Sequence, residues 1–432
     1  MNAELIAQLT AELAASDEPL RVSRSGRITG PAGADAHDAA YAADAEAYAL
    51  LALVPGTSVE QRAGILLRLL GASRTGMSAQ TRRTVERVTR VLVLGLPAHT
   101  VGTVLLALRH RRANHKHVTR AALRLLTEHA EAATFVRTHR RMAVSIVEHA
   151  LGKATARGVA RALRTGEVVA DVRRSFLRFV SDPALATQRL LEVYAEARVD
   201  EVAVGVQRLD LDLDGERPAV VTATNRGDLA ATLVHRFRGG DSADLDAAQE
   251  RYLAAAAAAV PRFPGRLALV IDRSASMDGY GEREWAVRSQ VAALELVLRQ
   301  RSAELVTVYT PGSGTDLAGG VVAALRERPD LVAVVSDGYE NTYPGDLARV
   351  AATLPRLGVR TGVVFCTATF SHSDDLTLRR PAPGLPRRAF WHEADFASLV
   401  LWMLFQTEAA DAAEWQRTAL RERLSIVEGG AG

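Results

Sequence analysis

The chain of 432 residues has a single cysteine, Cys366, and only two lysines, Lys116 and Lys153, and aromatic residues make up 5% of it. One thiol excludes an internal disulfide and any structural zinc site built on thiolates. In TGVVFCTAT, Cys366 reads as a small core residue of a strand, where apolar surroundings raise a thiol's pKa and remove its reactivity. No run of about 18 uncharged apolar residues occurs, so no membrane-spanning helix is expected. The opening MNAELIAQLTAELAASDEPL sets acids on an amphipathic helical pattern instead of the basic-then-apolar pattern of a secretion signal, which leads us to expect a cytoplasmic protein. The sequence also lacks a Gly-x4-Gly-Lys phosphate loop, a His-Glu-x-x-His helix and a Gly-x-Ser-x-Gly elbow. In GSGTDL, Leu317 stands where the dinucleotide fingerprint needs its third glycine. No enzymatic activity is expected.

Charge is unevenly spread. The formal net charge is +3, yet between Thr81 and Leu190 there are 21 Lys or Arg against 7 Asp or Glu, which leaves the rest of the chain at −11. A GC-rich codon bias accounts for arginine over lysine but not for this clustering. Guanidinium suits phosphate, because it forms paired hydrogen bonds where ammonium is a point charge. If the basic segment builds one face, the expected ligand is a phosphate backbone, bound by Arg109, Arg111, Arg112, Lys116, Arg120 and Arg124 and then by Arg137, Arg140 and Arg141. Asn114, His115 and His117 would add hydrogen bonds. A solvated helix surface is the alternative reading of the same cations. Phe135, Phe176 and Phe179 are too few to form a platform for base stacking.

Residues 1–200 read as a basic all-α module. EAYALLALV, EQRAGILLRLL, RRTVERVTRVLVLGL, HTVGTVLLALRHRR, HVTRAALRLLTEHA and ADVRRSFLRFVSD repeat apolar residues at spacings of three and four. Antiparallel pairs of such helices bury their stripes against neighbours, so a HEAT-like helical repeat is expected. Residues 201–262 connect, with a hairpin turning at Asp214-Gly215 and a helix from Ser242 that stops before Pro261. Asp210-x-Asp212-x-Asp214-Gly215 imitates the start of a calcium loop, but Val221 occupies the twelfth position, where a bidentate Glu is required.

From 263 to 432, LALVI, ELVTVY, LVAVVS and VRTGVVFC alternate with helical segments. This predicts an open doubly wound α/β domain, Rossmann-like, whose ligands bind at the C-terminal ends of the strands. Asp272, Ser274 and Ser276 follow the first strand, Thr315 the second and Asp337 the third. Two carboxylates and three hydroxyls, with no imidazole or thiolate among them, favour a hard cation, Mg²⁺ or Mn²⁺. Serine and aspartate also cap helices, so any one of these loops alone would carry little weight. His372, Asp374 and Asp375 sit on a loop near the same rim.

Asp-x-Ser-x-Ser, then Thr, then Asp resembles the metal-ion-dependent adhesion site of the von Willebrand factor A family, with Ala275 where glycine is frequent. That resemblance implies binding, with a partner supplying a carboxylate to the metal, and not catalysis. AAQERYLAAAAAAVPRFPGRLALVIDRSASM, VVSDGYENTYPG, VVFCTATFSHSDDLTL and ADFASLVLWM are similar to parts of the Ro 60 kDa (TROVE) family, as is RHRRANHKHVTRAALRLL more loosely. The Gly-Phe-Asp element of that family is replaced here by RRAFWHEAD. The Ro resemblance implies a helical-repeat ring closed by a von Willebrand A domain, binding small non-coding or misfolded RNA. A competing expectation is an A-domain adaptor for an AAA+ ATPase, without RNA.

Overall fold

The structure is a computed structural model that describes residues 19–23, 28–29, 34–165, 209–212, 228–311, 314–371 and 379–429. ADVRRSFLRFVSD, most of the connecting hairpin, and His372, Asp374 and Asp375 lie outside these residues. The chain divides into two compact units, residues 1–213 with 423–432, and residues 214–422.

After a short antiparallel pair, β1 (Arg21–Val22) and β2 (Ile28–Thr29), the first unit is helical. Its helices are α1 (Ala34–Ala43), α2 (Ala45–Leu50), α3 (Val59–Gly71), α4 (Ala79–Gly95), α5 (Ala98–His110), α6 (Lys116–Thr127), α7 (Ala132–Thr138), α8 (Arg140–Leu151) and α9 (Lys153–Thr165). Their starts follow the sequence. Ser58 and Gln61 form a reciprocal capping box at α3, and Ser78 accepts the Thr81 amide at α4. Each helix buries one stripe, such as Val118, Ala121, Ala122 and Leu125 of α6. Helices pack on the next but one as well as on the next, α3 on α5, α4 on α6 and α6 on α8, and α5 also packs on α8, three helices along.

One segment distant in sequence enters this core. The buried Arg62 of α3 donates from Nη1 to Asp212 Oδ2 at 3.0 Å and from Nη2 to Asp212 Oδ1 at 2.5 Å, while its Nε reaches the Ala52 carbonyl at 3.0 Å. Asp212, read above inside a near-calcium pattern, is therefore the partner of a buried guanidinium, the pairing that such a charge requires.

The second unit opens with α10 (Leu229–Phe237) and α11 (Ala243–Ala259), the latter capped by Ser242 with Asp244 and Asp246 in its first turn. It continues as β3 (Phe263–Ile271), α12 (Ala286–Arg301), β4 (Ser302–Tyr309), α13 (Leu317–Arg326), β5 (Leu331–Ser336), α14 (Asp346–Thr353), β6 (Gly362–Ala368), β7 (Arg387–Phe390) and α15 (Phe396–Leu404), and then α16 (Ala412–Gly429), whose residues from Arg423 onward belong to the first unit. The sheet is parallel throughout, in the order β4-β3-β5-β6-β7. The expected α/β unit is present; β7 is a fifth strand that the apolar pattern does not announce, because RRAF carries two arginines. The periodicity of EREWAVRSQVAALELVLRQ predicts a helix from Glu282, but the helix begins at Ala286, after a 3-10 turn and after Trp285 in the left-handed region at φ 67°.

Ala268, Val270, Val332, Val334 and Phe365 pack under Leu317 and Val321 of α13 and Leu347 of α14. Cys366 is fully buried in β6 and its thiol pKa is pushed far up by burial, as its strand setting predicts. The chain goes from β3 outward to β4, then crosses back to β5 on the other side of β3, so the order reverses beside β3. Open α/β sheets bind ligands at such a switch point.

At the start of α10, Asp228 accepts the Ala231 amide at 2.7 Å and Glu393 accepts the Leu229 amide at 3.1 Å. Burial and then the neighbouring Asp228 carboxylate raise Glu393 from 4.5 to about 7, against the amides that pull it down. An acid held above its unfolded value binds its proton more tightly in the folded chain. The stability it contributes is complete below about 4.5 and is lost as pH rises through about 7. In urea unfolding between about pH 5 and pH 8, wild type should lose about 1–3 kcal/mol more than Glu393→Gln. Equal losses in both proteins would assign the pH dependence to other groups.

Candidate functional site

The rim is built by extending the sheet. Beyond Ile271 the Asp272 amide donates to the Val335 carbonyl at 3.0 Å, and the Thr310 amide donates to the Ile271 carbonyl at 3.0 Å. Both neighbouring strands therefore hold β3 where it ends. The Asp272 carboxylate is buried and its oxygens are occupied: Oδ1 accepts the Ser274 amide at 2.8 Å and the Thr310 hydroxyl at 3.5 Å, and Oδ2 accepts the Ser336 hydroxyl at 2.7 Å.

Four of the five predicted oxygen donors are linked directly. The Ser274 and Ser276 hydroxyls are 3.0 Å apart, and the Ser276 side chain hydrogen-bonds Asp337. Asp337 Oδ1 also accepts the Tyr339 amide at 3.2 Å. The turn that permits this places Gly338 at φ +97°, where a Cβ would lie 2.8 Å from Cβ of Arg379, so glycine is required. Thr315, the fifth, is tied to the β5 loop by its amide, which donates to Asn341 Oδ1 at 2.8 Å. Its hydroxyl is fully buried and has no hydrogen-bond partner among the described residues. Ser336, Thr310 and Asn341, which position the five, escape the motif. For Ser336 a signal was available: it directly precedes Asp337, where strand alternation turns its side chain away from that of its neighbour.

Burial raises the Asp337 carboxyl above its usual range, and the Asp272 charge adds to this against the Tyr339 and Ser276 hydrogen bonds. Two buried carboxylates that repel each other, beside an orphaned hydroxyl, form a set that a hard cation would satisfy. Among the described residues no group of three or more His, Cys, Asp or Glu side chains forms a metal-ligating cluster, so any cation here would depend on the hydroxyls.

Around the rim stand exposed tyrosines. Tyr280 is 87% exposed, Tyr343 58%, Tyr339 51% and Tyr309 39%, and the Arg273 guanidinium lies 3.4 Å from the Tyr309 ring centroid. Arg283 lies over Phe370 at 4.1 Å.

The predicted basic residues of the helical unit separate into two groups. Arg109 is consumed internally, with Nη2 3.0 Å from Glu148 Oε2 and Nη1 3.4 Å from the Ser145 carbonyl, and Arg124 leans toward Glu128 at 3.9 Å. Arg111, Arg112, Asn114, Lys116, Arg120, Arg137, Arg140 and Arg141 are exposed. His117 is half-buried with Nε2 3.0 Å from the Leu70 carbonyl, and the His115 ring stacks on it at 4.9 Å. His115, Lys116, His117 and Arg120 meet Arg74 and Arg82 around one cleft, and those two arginines were not anticipated. Arg74 lies in the 73–77 turn, before the basic stretch of 81–190; Arg82 lies inside that stretch, in the first turn of α4, ahead of the candidates that begin at Arg109.

No family model matches the chain, and no curated protein matches it. The chain is similar to a Ro protein. The crystal structure of Deinococcus radiodurans RO (RSR) protein shares 14% identity with it, covering 92% of this chain and 100% of that one, with a TM-score of 0.38. Among the described residues no helix is long and apolar enough to cross a membrane.

The Ser336 hydroxyl is fully buried, donating to Asp272 and accepting the Gly338 amide at 3.1 Å. Ser336→Ala should cost about 1–3 kcal/mol in urea unfolding, because it leaves a buried amide and part of a buried carboxylate without partners. A loss below a few tenths would mean that water or loop motion replaces the hydroxyl.

Proposed function

We propose that this chain is a Ro-like RNA-binding protein. Its helical unit, built of HEAT-like repeats, holds small non-coding or misfolded RNA by the phosphates. Its α/β domain, of von Willebrand A type, holds Mg²⁺ or Mn²⁺ through Asp272, Ser274, Ser276, Thr315 and Asp337 and recruits a partner's carboxylate. The observation that carries the reading is the oxygen-only rim, in which Ser274, Ser276 and Asp337 form one hydrogen-bonded chain beside the fixed carboxylate of Asp272. It occurs in a chain whose helical segment has 21 cations to 7 acids.

The chemistry follows from the donor set. The carboxylates supply charge and the hydroxyls supply only lone pairs, so a bound divalent ion would keep affinity for one more anionic oxygen. The protein's part is to hold the donors and keep them dry, and the proposed role is binding without catalysis. On the helical unit, exposed Arg111, Arg112, Arg140 and Arg141 offer guanidinium forks to phosphate oxygens.

The exposed tyrosines around the rim favour a second reading, in which the A domain is an adaptor for a protein such as an AAA+ ATPase and RNA is not bound. Tyrosine and arginine are the residues over-represented where proteins bind proteins.

Two measurements test the main reading. Thr315→Val removes a buried hydroxyl that has no partner among the described residues. It should leave the metal-free protein as stable or up to about 1 kcal/mol more stable, while Mn²⁺ affinity in calorimetry drops about tenfold or more. Unchanged Mn²⁺ binding, or none in wild type, would sink the metal assignment. For RNA, Arg111→Glu with Arg112→Glu should weaken binding at low salt at least about tenfold and make the logarithmic salt dependence shallower by about 1 to 2. Absence of RNA binding by wild type at low salt would favour the adaptor.

A further inference from the structure

Between α3 and α4 the chain turns through Ser73–Gly76, and beside that turn lies a cleft of about 430 Å³. This is within the range of small-molecule sites, about 300–1,000 Å³. Four cationic side chains line it, Arg74, Arg82, Lys116 and Arg120, against one carboxylate, Glu86. That acid is shared, with Oε1 3.3 Å from Arg74 Nη1 and 3.6 Å from Arg120 Nη1. Four cations less one anion leave a surplus of three positive charges in a single concavity.

Two observations indicate that the surplus is built for a ligand. The first is Arg74. Its side chain is 9% exposed, Nη2 reaches the Thr89 hydroxyl at 3.3 Å, and yet its buried Nε has no acceptor among the described residues. Glu86 and Thr89 take two donors of this guanidinium, which leaves the buried Nε–H to be satisfied by a further acceptor. The second is the wall. Burial and then the Arg74 charge lower the pKa of His117 to about 4, so its ring is neutral and its Nε2–H donates to the Leu70 carbonyl. His115 lies almost parallel to it, at 12° between ring planes. The cleft thus has a pair of stacked imidazole rings in its lining beside its cations. Gly76, at φ +83°, has nothing within 4 Å of where a Cβ would stand, which leaves the backbone of the turn open to an approaching group.

Cations alone would suit any anion, but cations beside a planar wall suit a phosphate attached to a base. A phosphomonoester carries about −1.5 to −2 charge and three acceptor oxygens, a closer match to this surplus than the single charge of a phosphodiester. We infer that the cleft takes the phosphorylated end nucleotide of an RNA strand, its base against His115 and its terminal phosphate among Arg74, Arg82, Lys116 and Arg120. This rests on the RNA-binding reading above and adds to it that the protein distinguishes the end of a strand.

The test uses full-length protein and one unstructured RNA prepared with a 5′-phosphate, with a 3′-phosphate, or with hydroxyls at both ends, followed by fluorescence anisotropy. One phosphorylated form should bind about tenfold tighter than the hydroxyl form, and adenosine 5′-monophosphate, but not adenosine, should compete away that gain. The ratio should fall toward one in Arg74→Met. Because Arg74 is buried, exposed Arg82→Met and Arg120→Met provide independent variants in which the same fall is expected. Equal affinity for all three RNAs overturns the end-nucleotide inference and leaves the RNA-binding reading intact. A preference that survives undiminished in Arg82→Met and Arg120→Met also overturns it. Binding of no RNA, whether or not the mononucleotide binds, overturns both.

Discussion

The rim of the α/β unit depends on one buried carboxylate. Asp272 is the first residue beyond strand β3, and its main chain is pinned by the Val335 carbonyl on one side while Thr310 reaches the Ile271 carbonyl from the other. A carboxylate there is tolerable only because an amide and two hydroxyls come to it, from its own loop, from the end of β4 and from the end of β5. Sheet register and site geometry are therefore one constraint. A slip of β5 by a residue would turn Ser336 away from Asp272 and leave the charge without its shortest hydrogen bond.

The two units use charge in opposite ways. In the α/β unit, acids converge with hydroxyls and the result favours a cation. In the helical unit, arginines divide between structure and surface. Arg62 is spent on Asp212 and Arg109 on Glu148, and each of these pairs closes packing between segments far apart in the chain. Among the described residues, the cations gathered around Glu86 outnumber the acids that line the same cleft. Arginine content alone does not separate these roles; the position of each carboxylate does.

Much of the architecture was readable in advance. Short β-branched runs such as LVAVVS and the caps Ser58, Ser78 and Ser242 mark strands and helix starts by local chemistry. RRAF was missed as a strand because it borders β6 at the edge of the sheet and needs no apolar run. The delayed start of α12 was hidden by the helical periodicity of EREW, which a left-handed Trp285 interrupts.

By itself the sequence determined which residues carry oxygen donors, in what order they follow the strands, and that one stretch is strongly basic. Those are properties of local pattern and composition, which no folding step alters. The tertiary structure decided which of them act together: that Ser276 bonds Asp337, that the Thr315 hydroxyl is sealed in without a partner among the described residues, that Asn341 and Ser336 hold the rim, and that Arg74 and Arg82 join Lys116 and Arg120. Each of these depends on residues tens of positions apart being brought within hydrogen-bond or Coulomb range, and only the packing of strands and helices sets such distances.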